Sequence, residues 1–138
     1  MADIGRIQKT YDMYVEEETA SEAIALGYVV CPIQAANASK VALVDTGAAN
    51  TPPYGVALEA ATADADTLLV AWRGVVEVSH DVAANDALYK HQPVMVSATT
   101  SGKVTAWTTA SAEYLIVGHT LEAATSTTAE VKIMLAGW

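Results

Sequence analysis

The feature that most constrains this chain is a self-match at a constant spacing of 63 residues. The segment GVALEAATADADTLLVAWRGV (55–75) aligns without a gap onto GHTLEAATSTTAEVKIMLAGW (118–138), with 7 identities in 21 positions. Gly55 falls on Gly118, the LEAAT blocks at 58–62 and 121–125 coincide, and Gly74 falls on Gly137. Upstream the register continues through Lys40-Val41 on Lys103-Val104, Thr46 on Thr109 and Ala49 on Ala112. Two copies, about 26–75 and 89–138, cover most of the chain. A solenoid needs about three or more repeats, so two copies point to one pseudo-symmetric core.

The second copy decides between helix and strand. In the first, Leu58, Ala61, Ala65, Leu68 and Trp72 share a helical face. The second carries Thr125-Ser126-Thr127-Thr128 there, side chains that compete for backbone hydrogen bonds inside a helix. Then Val131, Ile133 and Leu135 alternate with Lys132 and Met134, the period of a half-buried strand. The matching stretch Thr67–Val78 is therefore a strand with Gly74 as bulge or bend, and each LEAAT block a strand end plus turn. Further strands are predicted over Tyr28–Cys31, Lys40–Val44, Gln92–Ala98, Lys103–Trp107 and Tyr114–Val117. A helical turn or two is expected over Ala20–Leu26. Short strands between Gly-, Asn-, Asp- and Pro-rich separators predict an all-β fold. The expected form is a compact sandwich or barrel, jelly-roll-like, built from two strand-turn-strand units over 21–138.

Composition narrows what such a fold can do. At 138 residues the chain is a single domain by size. Seven Lys+Arg face 16 Asp+Glu, a net charge of −9, whereas a nucleic-acid binder needs a basic footprint. Hydrophobic residues make up 52% of the chain, enough for a core, but there is no Phe. The core must come from small and β-branched side chains. Cys31 is the one cysteine, which excludes an intrachain disulfide and fits a reducing compartment. The start MADIGRIQKTYD lacks the apolar region of a signal peptide. The longest mostly apolar stretch, 23–33, is half of the roughly 20 residues a membrane helix needs. The expectation is a soluble, unexported chain with no membrane partner, on which the sequon Asn37-Ala38-Ser39 is a chance match.

Residues 1–20 stand apart. They precede the repeat, lack period-two patterning and end in Glu16-Glu17-Glu18. Through Lys9 the segment is +1 (Asp3 against Arg6 and Lys9), which leaves −10 on the remainder. We read an N-terminal arm that orders against a neighbouring subunit. Its candidate contacts are Ile4, Arg6, Ile7, Lys9, Tyr11 and Tyr14. Trp138 ends the chain on an apolar side chain and is expected to be tucked into a core or an interface.

Catalytic signatures are weak. His80, His91 and His119 are not clustered with other ligands at metal-site spacing. His119 replaces Val56 in the repeat, a tolerant packing position. Ser79-His80-Asp81 contains triad letters, but triads are assembled in space and not from neighbours in sequence. Cys31 reads as a buried small hydrophobe. Asp64 and Asp66 lack the Gly and distal Glu of a calcium loop and read as a solvated turn. Glu59 and Glu122 are paired by duplication, which favours a turn role over acid/base work. No glycine-rich phosphate loop is present. The chain is expected to be no enzyme and to hold no cofactor and no metal.

Three stretches carry a family resemblance: AIALGYVV (23–30), NDALY (85–89), and VGHTLEAA (117–124) followed by VKIML (131–135). Together they resemble the small capsid decoration, or cement, proteins of tailed bacteriophages over about 20–138. Asn85 stands where that pattern has Gly, and the polar arm is longer. The resemblance implies an all-β homodimer or homotrimer, made in the host cytoplasm. It implies binding to the major capsid protein outside the head, bridging neighbouring shell subunits and stabilising them. An alternative from another class is a β-module that binds carbohydrate through aromatic platforms, for which Trp72, Trp107 and Trp138 are the candidates.

Overall fold

The computed structural model describes residues 13–33, 39–46, 50, 52–83, 86–109 and 111–136. The strands are β1 (Tyr14–Ala20), β2 (Val29–Pro32), β3 (Lys40–Leu43), β4 (Gly55–Ala57), β5 (Thr67–Arg73), β6 (Val75–Ser79) and β7 (Ala87–Leu88). They continue as β8 (Pro93–Val96), β9 (Val104–Ala106), β10 (Ile116–Thr120), β11 (Ala124–Thr125) and β12 (Glu130–Leu135). The fold is nearly all β, as expected. Strands β1 to β5 close a five-stranded barrel in the order β1-β3-β2-β4-β5. The second sheet is ordered β6-β12-β10-β8-β9, and β7 pairs with β11.

These are two copies of one plan. Read round the barrel from β1, the order β1-β5-β4-β2-β3 maps onto β6-β12-β10-β8-β9 strand for strand. The pair Val30↔Gly55 recurs as Val94↔Gly118, and Ala57↔Val70 as Thr120↔Ile133. The bridge Ile24↔Ala61 recurs as Leu88↔Ala124. Parallel pairing of Thr19 with Lys40 and Ala20 with Val41 closes the barrel. In the second copy the outer strands meet at one parallel bridge, His80↔Val104.

The repeat therefore begins earlier than the sequence spacing indicates. Its first strand is β1 in one copy and β6 in the other, whereas the expected copies start near 26 and 89. The reading of 1–20 as an arm is corrected for Tyr14–Ala20, which form a strand of the barrel. The spacing is 60 at β1 and β6 (Val15 and Val75 pair with Ala71 and Met134) and 64 at Ile24 and Leu88. Loops absorbed the insertions, and an ungapped comparison loses the match there.

The strands expected over Tyr28–Cys31, Lys40–Val44, Gln92–Ala98 and Lys103–Trp107 are present as β2, β3, β8 and β9, with shifts of a residue or two at the ends. Thr67–Val78 is two strands meeting at Gly74, and they belong to different copies. Tyr114–Val117 splits into a 3-10 turn over Glu113–Leu115 and the start of β10. Ala20–Leu26 has no helix; Ile24 bonds the backbone of Ala61 in both directions, at 2.9 and 2.8 Å.

Packing explains the composition. A five-stranded barrel has a narrow interior, filled here by Ala20, Ile24, Val30, Val41, Ala57, Ala61, Leu68 and Val70. The second cluster joins Leu88 of β7 and Val104, Val131 and Ile133 of the second sheet to Val29, Val44, Tyr54 and Val56 from the outside of the barrel. Buried Cys31 belongs to it, as a small hydrophobe should. Tyr54 donates to the Tyr114 carbonyl at 2.9 Å, and burial pushes its hydroxyl up to about 12. The duplicated glycines mark close approach. A Cβ on Gly118 would lie 2.1 Å from the Met134 carbonyl oxygen, and one on Gly55 2.5 Å from Val70 Cγ1.

The copies are also spliced through backbone. Val29 N–H donates to the Gly102 carbonyl at 2.7 Å, and Gly102 N–H to the Val44 carbonyl at 3.1 Å. Gly102 thus seats a turn of the second copy between two segments of the first. A Cβ there would meet Tyr28 Cδ2 at 2.4 Å.

Candidate interaction surface

Where the copies diverge, a surface opens. Facing residues of an antiparallel pair lie on one side of a sheet. Glu16 faces Val70 and Glu18 faces Leu68, so both glutamates share a side with barrel-core residues. In the second copy Val76 faces Ile133 and Val78 faces Val131, and all four are buried. Trp72 corresponds in the same way to buried Leu135. One copy closes this end with two valines and a leucine. The other places two carboxylates and an indole there.

The result is a cavity of about 460 Å³ lined by Tyr14, Glu16, Pro32, Pro53, Trp72 and Arg73. Trp72 Nε1–H donates to Glu18 Oε1 at 3.1 Å, and Tyr14 Oη–H donates to Glu16. Burial holds the Glu18 carboxyl above its usual range, against the pull of the indole bond. The bond to Glu16 raises the Tyr14 hydroxyl. Tyr14 is 46% exposed, and beside it Met13, Val15 and Leu69 are exposed as well. A second cavity, on the other copy, has Tyr89, Gln92, Thr105 and Thr108 in its wall.

Of the residues expected to touch a partner, Tyr14 is at the mouth of the barrel. Ile4, Arg6, Ile7, Lys9, Tyr11 and Trp138 lie outside the described residues. Glu16, Glu18 and Trp72 are not recognisable as a group from the sequence, because Glu16 and Glu18 read as the end of an N-terminal arm outside the repeat. The register Val15–Ala20 on Val75–His80 would have found them. Trp107 belongs to the second copy, its Nε1–H buried without a partner among the described residues.

The residues with catalytic letters have structural work. His80 is buried, and its Nδ1 accepts from Val82 N–H at 3.3 Å. Asp81 accepts from Thr99 Oγ1 at 2.7 Å and from Ser97 Oγ, which in turn accepts from Thr99 and Thr100 N–H at 3.1 Å. His80 and Asp81 serve a turn and its neighbour. Asp66 Oδ2 accepts from Thr62 Oγ1 at 2.6 Å and from Thr62 and Ala63 N–H, while Asp64 pairs with Lys40 at 2.7 Å. These partners hold both carboxyls below their usual range. Glu122 Oε1 accepts from Lys132 N–H at 3.0 Å. Among the described residues no group of three or more His, Cys, Asp or Glu could hold a metal.

The chain is similar in fold to a solved structure, the N base of the head fiber gp8.5 in bacteriophage phi29. The TM-score is 0.59 at 13% identity, covering 91% of this chain and 95% of that one. No protein-family model matches the chain, and no curated protein does.

Proposed function

We propose that this chain is a structural protein of a phage virion that binds the outside of the head and bridges neighbouring shell subunits. The observation that carries the reading is the near end-to-end fold likeness to a phage head-fiber base. The decoration-protein resemblance of 23–30, 85–89 and 117–135 supports it independently. So does the architecture. Two like units joined by backbone hydrogen bonds offer related surfaces that can span two sites. The proposed partners are the major capsid protein and further copies of this chain, in a closed homodimer or homotrimer. A site formed by two shell subunits exists only in the assembled head, so occupancy stabilises assembly by mass action. The reading assigns the chain no catalysis and no cofactor.

The carbohydrate alternative asks for indoles side by side. Trp72 and Trp107 belong to different copies, and the Trp72 N–H is engaged by Glu18. The test is to heat or dilute heads assembled with and without the chain. Decorated heads should survive conditions that break bare ones, and added protein should bind them. Equal robustness without binding overturns the reading. Removing residues 2–12, which leaves β1 whole, should weaken binding if Ile4, Arg6, Ile7, Lys9 and Tyr11 are contacts.

A further inference from the structure

We propose that the mouth of the barrel, at Tyr14, Glu16, Glu18 and Trp72, is a receptor for a guanidinium side chain presented by a partner protein. The duplication supplies an internal control. The same strand positions in the second copy hold Val76, Val78 and Leu135, all at most 5% exposed. The fold can therefore close this end with apolar residues. The first copy instead places Glu16, which is exposed, and Glu18, which is half-buried, so this end stays open and acidic.

The chemistry of the wall selects the occupant. Glu16 offers acceptor oxygens, Trp72 and Tyr14 offer aromatic rings, and Glu18, outside the lining, holds the Trp72 indole N–H. The one cation in the wall among the described residues is Arg73. A planar guanidinium stacks on an indole and pairs bidentately with a carboxylate, so it uses both features at once. Pro32 and Pro53 add apolar wall for the methylene stem. A sugar would use donors as well as acceptors, and the indole N–H is already given to Glu18. The volume of about 460 Å³ lies within the roughly 300–1,000 Å³ of small-ligand sites, ample for one long side chain.

This deepens the head-binding reading by naming the chemistry of one contact, and it is tested without heads. The full chain, labelled with ¹⁵N, is titrated with acetyl-Pro-Arg-Pro-amide while the Trp72 indole N–H resonance is followed. Saturable movement of that signal is expected, with binding at least tenfold weaker for the citrulline peptide. The variant E16V/E18V/W72L installs the residues of the second copy. It should fold at least as stably and lose all saturable response, read on the Arg73 and Tyr14 amides. Equal response to arginine and citrulline peptides, or response to a chito-oligosaccharide instead, overturns the proposal. So does marked destabilisation of the variant, which would make the three residues structural. A silent titration beside intact head binding would sink the mouth and leave the head-binding reading standing.

Discussion

The two copies share a strand order, a register and a duplicated glycine, yet differ at one end. In the second, Val76, Val78 and Leu135 seal the sheet; in the first, Glu16, Glu18 and Trp72 leave it open. The difference separates what the scaffold needs from what was added to it. A residue kept in both copies, such as Gly55 and Gly118, answers to backbone geometry. A residue that changes from apolar to charged in one copy answers to something outside the fold.

Exchanging residues between copies tests that division most severely. Val78→Glu places a carboxylate among Val131 and its buried neighbours and should cost roughly 3–5 kcal/mol in urea denaturation. The reciprocal Glu18→Val should stay within about 1 kcal/mol of neutral, or stabilise. If both cost the same, the copies are not equivalent scaffolds. Next in size is Gly118→Ala, at about 3 kcal/mol, because its Cβ meets backbone. Gly55→Ala should cost about 2 kcal/mol, since its Cβ would press on buried Val70 and come within 3.0 Å of the Ala71 carbonyl oxygen. Gly102→Ala should cost about 2 kcal/mol and loosen the joint, with exchange quickening at the Val29 and Gly102 amides.

The smallest effect is in pH, and its sign differs between the copies. Burial lowers the His80 pKa, so the unfolded chain takes up that proton more readily. His80 should therefore remove stability as pH falls below about 6.5 toward its folded value. Burial raises the Glu18 pKa, so the folded chain takes up the proton first. Stability should rise as pH falls through the raised value toward 4.5. Denaturation of His80→Ala and Glu18→Gln across pH 4–7 should delete the falling and the rising limb respectively. Loss of both limbs in one variant would refute the assignment.

Much of this was legible in the residues. The alternation of Val131, Ile133 and Leu135 identifies β12, and the glycine-flanked LEAAT blocks identify a strand end and turn, because close approach and turn geometry restrict both. What escaped was β1. A strand is read from apolar residues on its inner face, and β1 carries Glu16 and Glu18 there. The spacing also slips from 60 to 64 between β1 and Ile24, so the repeat could not be extended into it. The candidate surface was illegible for the same reason. Its residues become conspicuous only beside the copy that lacks them.

The pairing of first strand with last has a consequence for synthesis. The barrel can close only when β5 joins β1, and the second sheet only when β12 joins β6. On a ribosome the first copy would thus complete its topology some sixty residues before the second. Its outer valines, Val29, Val44 and Val56, are covered by the second copy. For that interval the nascent barrel is finished in connectivity but still presents an apolar face, so its own sequel acts as its chaperone.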